Sequence, residues 1–282
     1  MADAFAGALV GTDWLARHLE APDVRVVDAT WCLPAAGRDP RAEYRERHIP
    51  GAVFFDLDEV CVQDGVHPHR VPDPARFASR VRRLGLGDGL RIVVYDSNHF
   101  CASARVWWMF RLFGHEEVAV LDGGLGKWLA EGRPVDDRPV RPLERHFTAR
   151  RNNLLLRELD QIRANLTSRR EQIVDARSPG RFHGTEPEPR PGLRGGHIPG
   201  SLNLPYQELI AADGTLKPPA ELRAALARAG VDPERPVVTS CGSGVSAAVI
   251  NLALHRLGHP DAALYDGSWA EWGALPDTPV AR

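Results

Sequence analysis

Apolar positions in the second half of the chain fall into two kinds of run that alternate. Short blocks at 172–176, 236–240 and 262–266 have the length of buried strands. Between them lie stretches with helical spacing. Leu156 to Leu166 has it, and PPAELRAALARAG (218–230) starts with prolines and ends with glycine, as helices do. A further helix is expected from about 243 to 257, where Val245, Ala248, Val249 and Leu252 fall at i, i+3, i+4 and i+7 and Gly258 sits at the C-terminal cap. The first half alternates in the same way. Strands separated by helices predict an α/β fold, a mostly parallel sheet flanked by helices on both faces. Ligands then gather beyond the carboxyl ends of the strands.

The pattern is written twice. Ile173-Val174-Asp175-Ala176-Arg177 echoes Val26-Val27-Asp28-Ala29-Thr30. RHIPGAVFFDL (47–57) returns as GHIPGSLNLPY (196–206), and FGHEEVAVLDGGLGKW (113–128) returns as LGHPDAALYDGSWAEW (257–272). The last pair is offset by 144 residues without a gap (257 − 113). Ordered echoes predict two homologous domains in tandem, 1–140 and 153–282. Around the join, DDRPVRPLERHFTARRNN is charged, Pro-containing and without a sustained period, so 141–152 reads as a linker.

Composition narrows the function class. The chain has 282 residues, is 43% hydrophobic and 26% charged, and carries a formal net charge of -2. That near-balance offers no electrostatic case for nucleic acid or an anionic membrane as main partner. The opening MADAFAGALV lacks the basic start and long apolar centre of a signal peptide, and no stretch approaches the roughly 18 to 20 apolar residues of a membrane helix. Cys32, Cys61, Cys101 and Cys241 show no C-x-x-C spacing, which suggests reduced thiols in a cytoplasmic protein rather than a disulfide framework or a metal site. No nucleotide fingerprint is visible either, so no cofactor is expected.

One stretch carries chemistry. In VVTSCGSGVSAAV (237–249) a thiol follows a buried-strand block and precedes an apolar helix, in a loop almost bare of side chains. Gly242 and Gly244 let the backbone approach a ligand and adopt positive φ. Successive N–H groups of such a loop can turn inward as an anion-binding nest, and the helix behind adds partial positive charge. Both favour a thiolate nucleophile at Cys241. The alternative is a buried structural cysteine.

Two copies, each with an HIPG segment and a late DGG or DGSW segment, and a cysteine loop in the second copy only, resemble the two-domain rhodanese family over nearly the whole chain. The loop CGSGVS is similar to that of the family's 3-mercaptopyruvate-using branch, whereas the thiosulfate-using branch carries Arg and Lys after the cysteine. The resemblance implies two rhodanese-like domains, and the first, which in a gapless alignment of the halves lacks both the thiol and the bare loop, is expected to be catalytically silent. It also implies an enzyme whose cysteine takes sulfane sulfur from a donor as a persulfide and passes it to a thiol (a thioredoxin is one candidate) or to cyanide. Carried over residue by residue, Arg181 and Arg190 hold the substrate carboxylate, a task suited to a guanidinium fork, while Gly242, Gly244, Val245 and Ser246 line the substrate. Ser243, His69 and Asp58 assist proton handling as pyruvate leaves as an enolate, with His67 and Asp56 standing close enough to be confused with them. Arg177 and Arg194 are weaker candidates.

His48 and His197 head the repeated HIPG turns in both copies, so an architectural role is expected, as for Asp28 and Asp175 at equivalent strand ends. Aligning the halves without gaps puts Ser97 opposite Cys241, with Cys101 buried in the following helix and Trp107, Trp108 and Phe110 packing there. Three rivals remain. A thiosulfate-using rhodanese differs in donor. A phosphatase would need a loop-closing arginine where Ala247 stands. A sulfur-carrier or regulatory module would need none of Cys241, Ser243, Arg181 and Arg190.

Overall fold

The computed structural model describes residues 7–63 and 68–282. The first half forms β1 Leu9–Val10, α1 Thr12–His18, β2 Val24–Asp28, α2 Pro40–Glu46, β3 Val53–Phe54, α3 Leu57–Val60, α4 Pro74–Arg83, β4 Arg91–Tyr95, α5 Cys101–Leu112, β5 Val118–Leu121 and α6 Gly124–Ala130. The second forms β6 Leu156–Arg157, α7 Leu159–Ser168, β7 Gln172–Asp175, α8 Pro179–Phe182, β8 Leu202–Asn203, α9 Pro219–Arg228, β9 Val237–Ser240, α10 Ala247–Arg256, β10 Ala263–Tyr265 and α11 Ser268–Trp272. The strands make two five-stranded sheets, ordered β1-β5-β4-β2-β3 and β6-β10-β9-β7-β8. Every pairing is parallel. Helices cover both faces of such a sheet, which is why β9 and β5 are buried at every position.

The duplication extends to single hydrogen bonds. Trp128 Nε1 donates to Pro134 O and Trp272 Nε1 to Pro279 O, each at 2.8 Å. Gly124 and Ser268 share a left-handed backbone, at φ 54° and 50°. The two HIPG histidines are structural: His48 pairs through Nδ1 with Tyr44 O and stacks on the Tyr44 ring, and His197 does the same with Phe182. Asp28 and Asp175 each accept an N–H two residues on, from Thr30 and Arg177. Trp107, Trp108 and Phe110 are fully buried on α5.

Several expectations shift. The helix expected from 243 begins at Ala247, because residues 242–246 turn back on themselves, with Gly244 at φ 76°. Leu156 to Leu166 is not one helix. Glu158 breaks it into strand and helix, because its N–H is taken by the Gln161 side chain at 2.8 Å, which caps α7. Cys101 is the first residue of α5 and only half-buried, not sunk within it.

Described residues divide into two compact units that do not follow the sequence halves. The first takes the chain up to Cys61, Pro72–Asn152 and Ala211–Leu216; the second takes Asn153–Ile210, Lys217–Arg282 and the described part of Val62–Val71. Each half thus lends a short segment to the other unit. Equivalent aspartates of the repeated late motif hold the visitors. Asp122 Oδ1 accepts from Leu216 N at 2.8 Å, and Asp266 Oδ2 from Val71 N at 2.9 Å. The stretch 141–152 has neither helix nor strand but is docked on the first unit, where Phe147 packs edge-on against Phe77 and Phe110. Among the described residues no helix is long and apolar enough to cross a membrane.

Candidate active site

Cys241 follows the last residue of β9, the strand between β10 and β7, so it stands at the carboxyl end of the second sheet. It is 2% exposed. Its own N–H donates to Ser268 Oγ at 3.2 Å, its carbonyl accepts from Trp269 N at 2.9 Å, and the Gly242 carbonyl accepts from Ala270 N at 2.8 Å. The start of α11 therefore grips the loop by its carbonyls. None of the hydrogen bonds among the described residues is donated by the N–H groups of residues 242–246. Ser243 and Val245 are buried, Gly244 turns the chain at positive φ, and Ser246 leads into the ten-residue α10. Buried amides that find no partner in the fold suit an anion, and the helix start adds to the positive potential.

The first unit shows what this backbone does with an anion. Tyr95 is registered against Asp28 as Ser240 is against Asp175, and Leu125 N donates to Asp96 O as Trp269 N donates to Cys241 O. Asp96, not Ser97, is thus the counterpart of Cys241. The gapless alignment errs because the first loop is one residue longer, and both His99 and Phe100 take left-handed φ there. The Asp96 carboxylate is 2% exposed and accepts four N–H groups: Asn98 and Phe100 at 3.1 Å, Ala102 at 3.0 Å and Ser103 at 2.8 Å. A side-chain anion fills the nest that the second unit leaves open.

Arg181 lies on the cysteine loop. A Cβ added to Gly242 would stand 2.8 Å from Arg181 Nη2. Glu188, which sequence reasoning missed, accepts from Arg181 Nη2 at 2.5 Å and, through its other oxygen, from Arg177 Nη1 at 2.6 Å. Arg177 is committed to the fold: its side chain is fully buried, bonded to Asp175 and Gly196 O, and stacked over Trp269. Burial opposes its charge, but Asp175 and Glu188 outweigh that and hold its pKa above the ordinary value. Arg194 is equally committed, donating to the carbonyls of Trp272, Gly273, Leu275 and Thr278. Both drop out as substrate groups. Arg190 is half-buried in the irregular stretch that follows α8.

His69 belongs to the segment lent to the second unit, the unit of Cys241. It is 2% exposed and takes a left-handed φ of 64°. Val71 is tied to Asp266, and Arg70 pairs with Glu158 at 3.1 Å and Glu271 at 3.7 Å. By the β9–β10 register, which pairs Leu264 with Thr239, Asp266 runs level with Cys241, so this segment reaches the carboxyl end of the same sheet. Asp58 lies in the first unit, exposed on α3, and accepts from Trp31 Nε1. Asp56 caps α3 through the N–H groups of Asp58 and Glu59 and pairs with Arg41 at 2.6 Å. His67 lies outside the described residues.

Known proteins match this architecture. The Rhodanese-like domain family matches residues 11–131 and 158–275. Human 3-mercaptopyruvate sulfurtransferase is 43% identical over 271 residues, covering 94% of this chain and 91% of that protein. Bovine thiosulfate sulfurtransferase is 46% identical over 286 residues, covering 98% and 95%. Among solved structures, SseA from Escherichia coli, described with the rhodanese fold and catalytic mechanism of 3-mercaptopyruvate sulfotransferases, superposes with a TM-score of 0.86 at 39% identity, over 93% of this chain and 99% of that one. Tum1 from Saccharomyces cerevisiae gives 0.89 at 30% identity, over 98% of each. With two matched domains, a duplicated parallel sheet and relatives spanning nearly the full length, this chain is a member of the rhodanese family.

Proposed function

We propose that this enzyme is a 3-mercaptopyruvate sulfurtransferase that works through a Cys241 persulfide. The Cys241 thiolate attacks the sulfur of the donor. A sulfur–sulfur bond forms, the donor's carbon–sulfur bond breaks, and its electron pair leaves as the pyruvate enolate, which takes a proton at carbon. An acceptor thiolate then attacks the outer sulfur, and Cys241 is released as thiolate. Cyanide as acceptor would leave as thiocyanate, and a small protein thiol such as thioredoxin is the candidate physiological acceptor.

One observation carries the reading: the loop backbone that wraps a carboxylate in the first unit is open around Cys241 in the second. A nest of amides stabilises the thiolate before attack and the persulfide anion after it. Gly242, Gly244, Val245 and Ser246 supply its walls, and the buried Ser243 hydroxyl is the donor for the substrate's keto oxygen as enolate charge develops. Arg181, with Arg190, takes the carboxylate. His69 serves proton transfer, and Asp58 is the carboxylate that the family resemblance assigns to the same task.

Thiosulfate is the competing donor, since relatives named for it match equally well. A dianion is recruited best by cations at the loop itself, and Gly242 and Ser243 carry none. Comparison of kcat/KM for the two donors decides: preference for 3-mercaptopyruvate, lost in Cys241→Ser, supports the proposal, and preference for thiosulfate refutes it.

A further inference from the structure

The Arg181 guanidinium is anchored from behind. Nη2 and Nε both donate to Glu188 Oε2, at 2.5 and 3.2 Å. The other Glu188 oxygen accepts from Arg177 Nη1, and Arg177 is fixed in turn by Asp175 at the end of β7. The side chain of Glu188 is 2% exposed and that of Arg181 21%. A carboxylate buried between two guanidiniums is held tightly, because removing any partner strands a charge away from water. The chain Asp175–Arg177–Glu188–Arg181 is thus a rigid bridge from the sheet to the cysteine loop, ending with Nη2 against Gly242.

The first unit contains an arginine–glutamate pair at the same loop, without the second arginine among the described residues and with a different ending. Arg38 donates to Glu43 through Nε at 2.7 Å and Nη2 at 2.5 Å, and Nη2 also donates to Ser97 Oγ at 2.7 Å. Ser97 follows Asp96 as Gly242 follows Cys241. In the silent loop a serine hydroxyl takes up the arginine's donor edge; in the cysteine loop a glycine leaves that edge without a side chain to satisfy it. The pair is also more exposed in the first unit, at 36% and 39%. A buried partner fixes direction more strictly than an exposed one.

We infer that Glu188 is a positioning residue for substrate recognition: it fixes the direction in which Arg181 presents its guanidinium over the loop, and Gly242 is the space kept clear for it. The inference rests on the proposed role of Arg181 toward the substrate carboxylate.

Steady-state kinetics of the full-length protein with 3-mercaptopyruvate test it, using Arg181→Ala, Glu188→Gln, Glu188→Asp and the doubles with Arg181→Ala. Arg181→Ala should raise KM, and Glu188→Gln should raise it by about tenfold with kcat nearly unchanged. Glu188→Asp, which keeps the charge beside Arg177 but shortens the reach, should also raise KM. Neither change should add to the effect of Arg181→Ala. If Arg181→Ala raises KM while the Glu188 variants do not, or if the effects add fully, the positioning role is overturned and the role of Arg181 stands. If Arg181→Ala leaves KM unchanged, the reading of Arg181 itself falls. Should Glu188→Gln fail to fold, the Glu188→Asp pair decides by the same criteria.

Discussion

Asp96 and Cys241 occupy one position of a duplicated fold: each follows the last residue of its central strand and gives its carbonyl to the residue that opens the late helix, Leu125 or Trp269. In one unit the side chain is a carboxylate wrapped by four amides; in the other it is a buried thiol followed by a loop whose amides, at 242–246, donate no hydrogen bond among the described residues.

Asp96 should therefore be a stability residue. Asp96→Ala leaves four amide donors in a site that is 2% exposed with no acceptor. Loss of charge-assisted bonds of this kind should cost about 3 kcal/mol or more, read as a lower denaturant midpoint.

Swapping the roles gives a second expectation. Cys241→Asp should abolish sulfur transfer yet melt at a higher temperature than Cys241→Ser, because its carboxylate can accept the amides of 242–246. A melting temperature equal to or below that of Cys241→Ser would show that the loop is not preformed for an anion.

For substrate binding, Arg181→Ala and Arg190→Ala should each act chiefly on KM for the keto acid. Losing a partly desolvated charge pair costs about 2 to 3 kcal/mol, or roughly 30- to 150-fold in kcat/KM. An unchanged KM removes the residue concerned from the site.

Acid and alkali should act on stability through Asp28, whose counterpart Asp175 differs in its partner. Thr30 stands where Arg177 pairs with Asp175, and burial pushes the Asp28 carboxyl above its ordinary value of 3.8. The folded state thus favours the protonated form. Its stabilising contribution is complete below the unfolded chain's pKa and is lost as pH rises from there through the raised folded value. Asp28→Asn keeps the bond from Thr30 N and removes the ionisation, so it should melt higher than the parent at pH 7 and with a flatter pH profile. Asp175→Asn should instead destabilise, because the buried Arg177 then keeps only Glu188, shared with Arg181, as a charged partner.

Much of this was legible from residue order alone. Period and punctuation placed β7, β9, β10 and α9 to within a residue or two, because buried parallel strands are apolar throughout and helix ends carry proline and glycine. The repeat exposed the duplication, and the bare loop marked Cys241. What stayed hidden depends on the third dimension. The Asp96 equivalence turned on a one-residue loop difference that a gapless alignment cannot see, although the strand-end acid was there to be noticed. The exchange of the described part of 62–71 and of 211–216 leaves no local trace, since Asp266 and Asp122 look like ordinary turn residues. Glu188 sits in a stretch whose polarity reads as exposed, and only the fold buries it between two arginines.

The central claim is that Cys241 accepts a single sulfur atom within its amide nest. Mass spectrometry of the full-length protein after brief exposure to 3-mercaptopyruvate, without an acceptor, tests it most directly. The Cys241 peptide should gain one sulfur, which a thiol acceptor then removes, while peptides containing Cys32, Cys61 and Cys101 stay unchanged. An unmodified Cys241 peptide, or sulfur on another cysteine, would contradict the account.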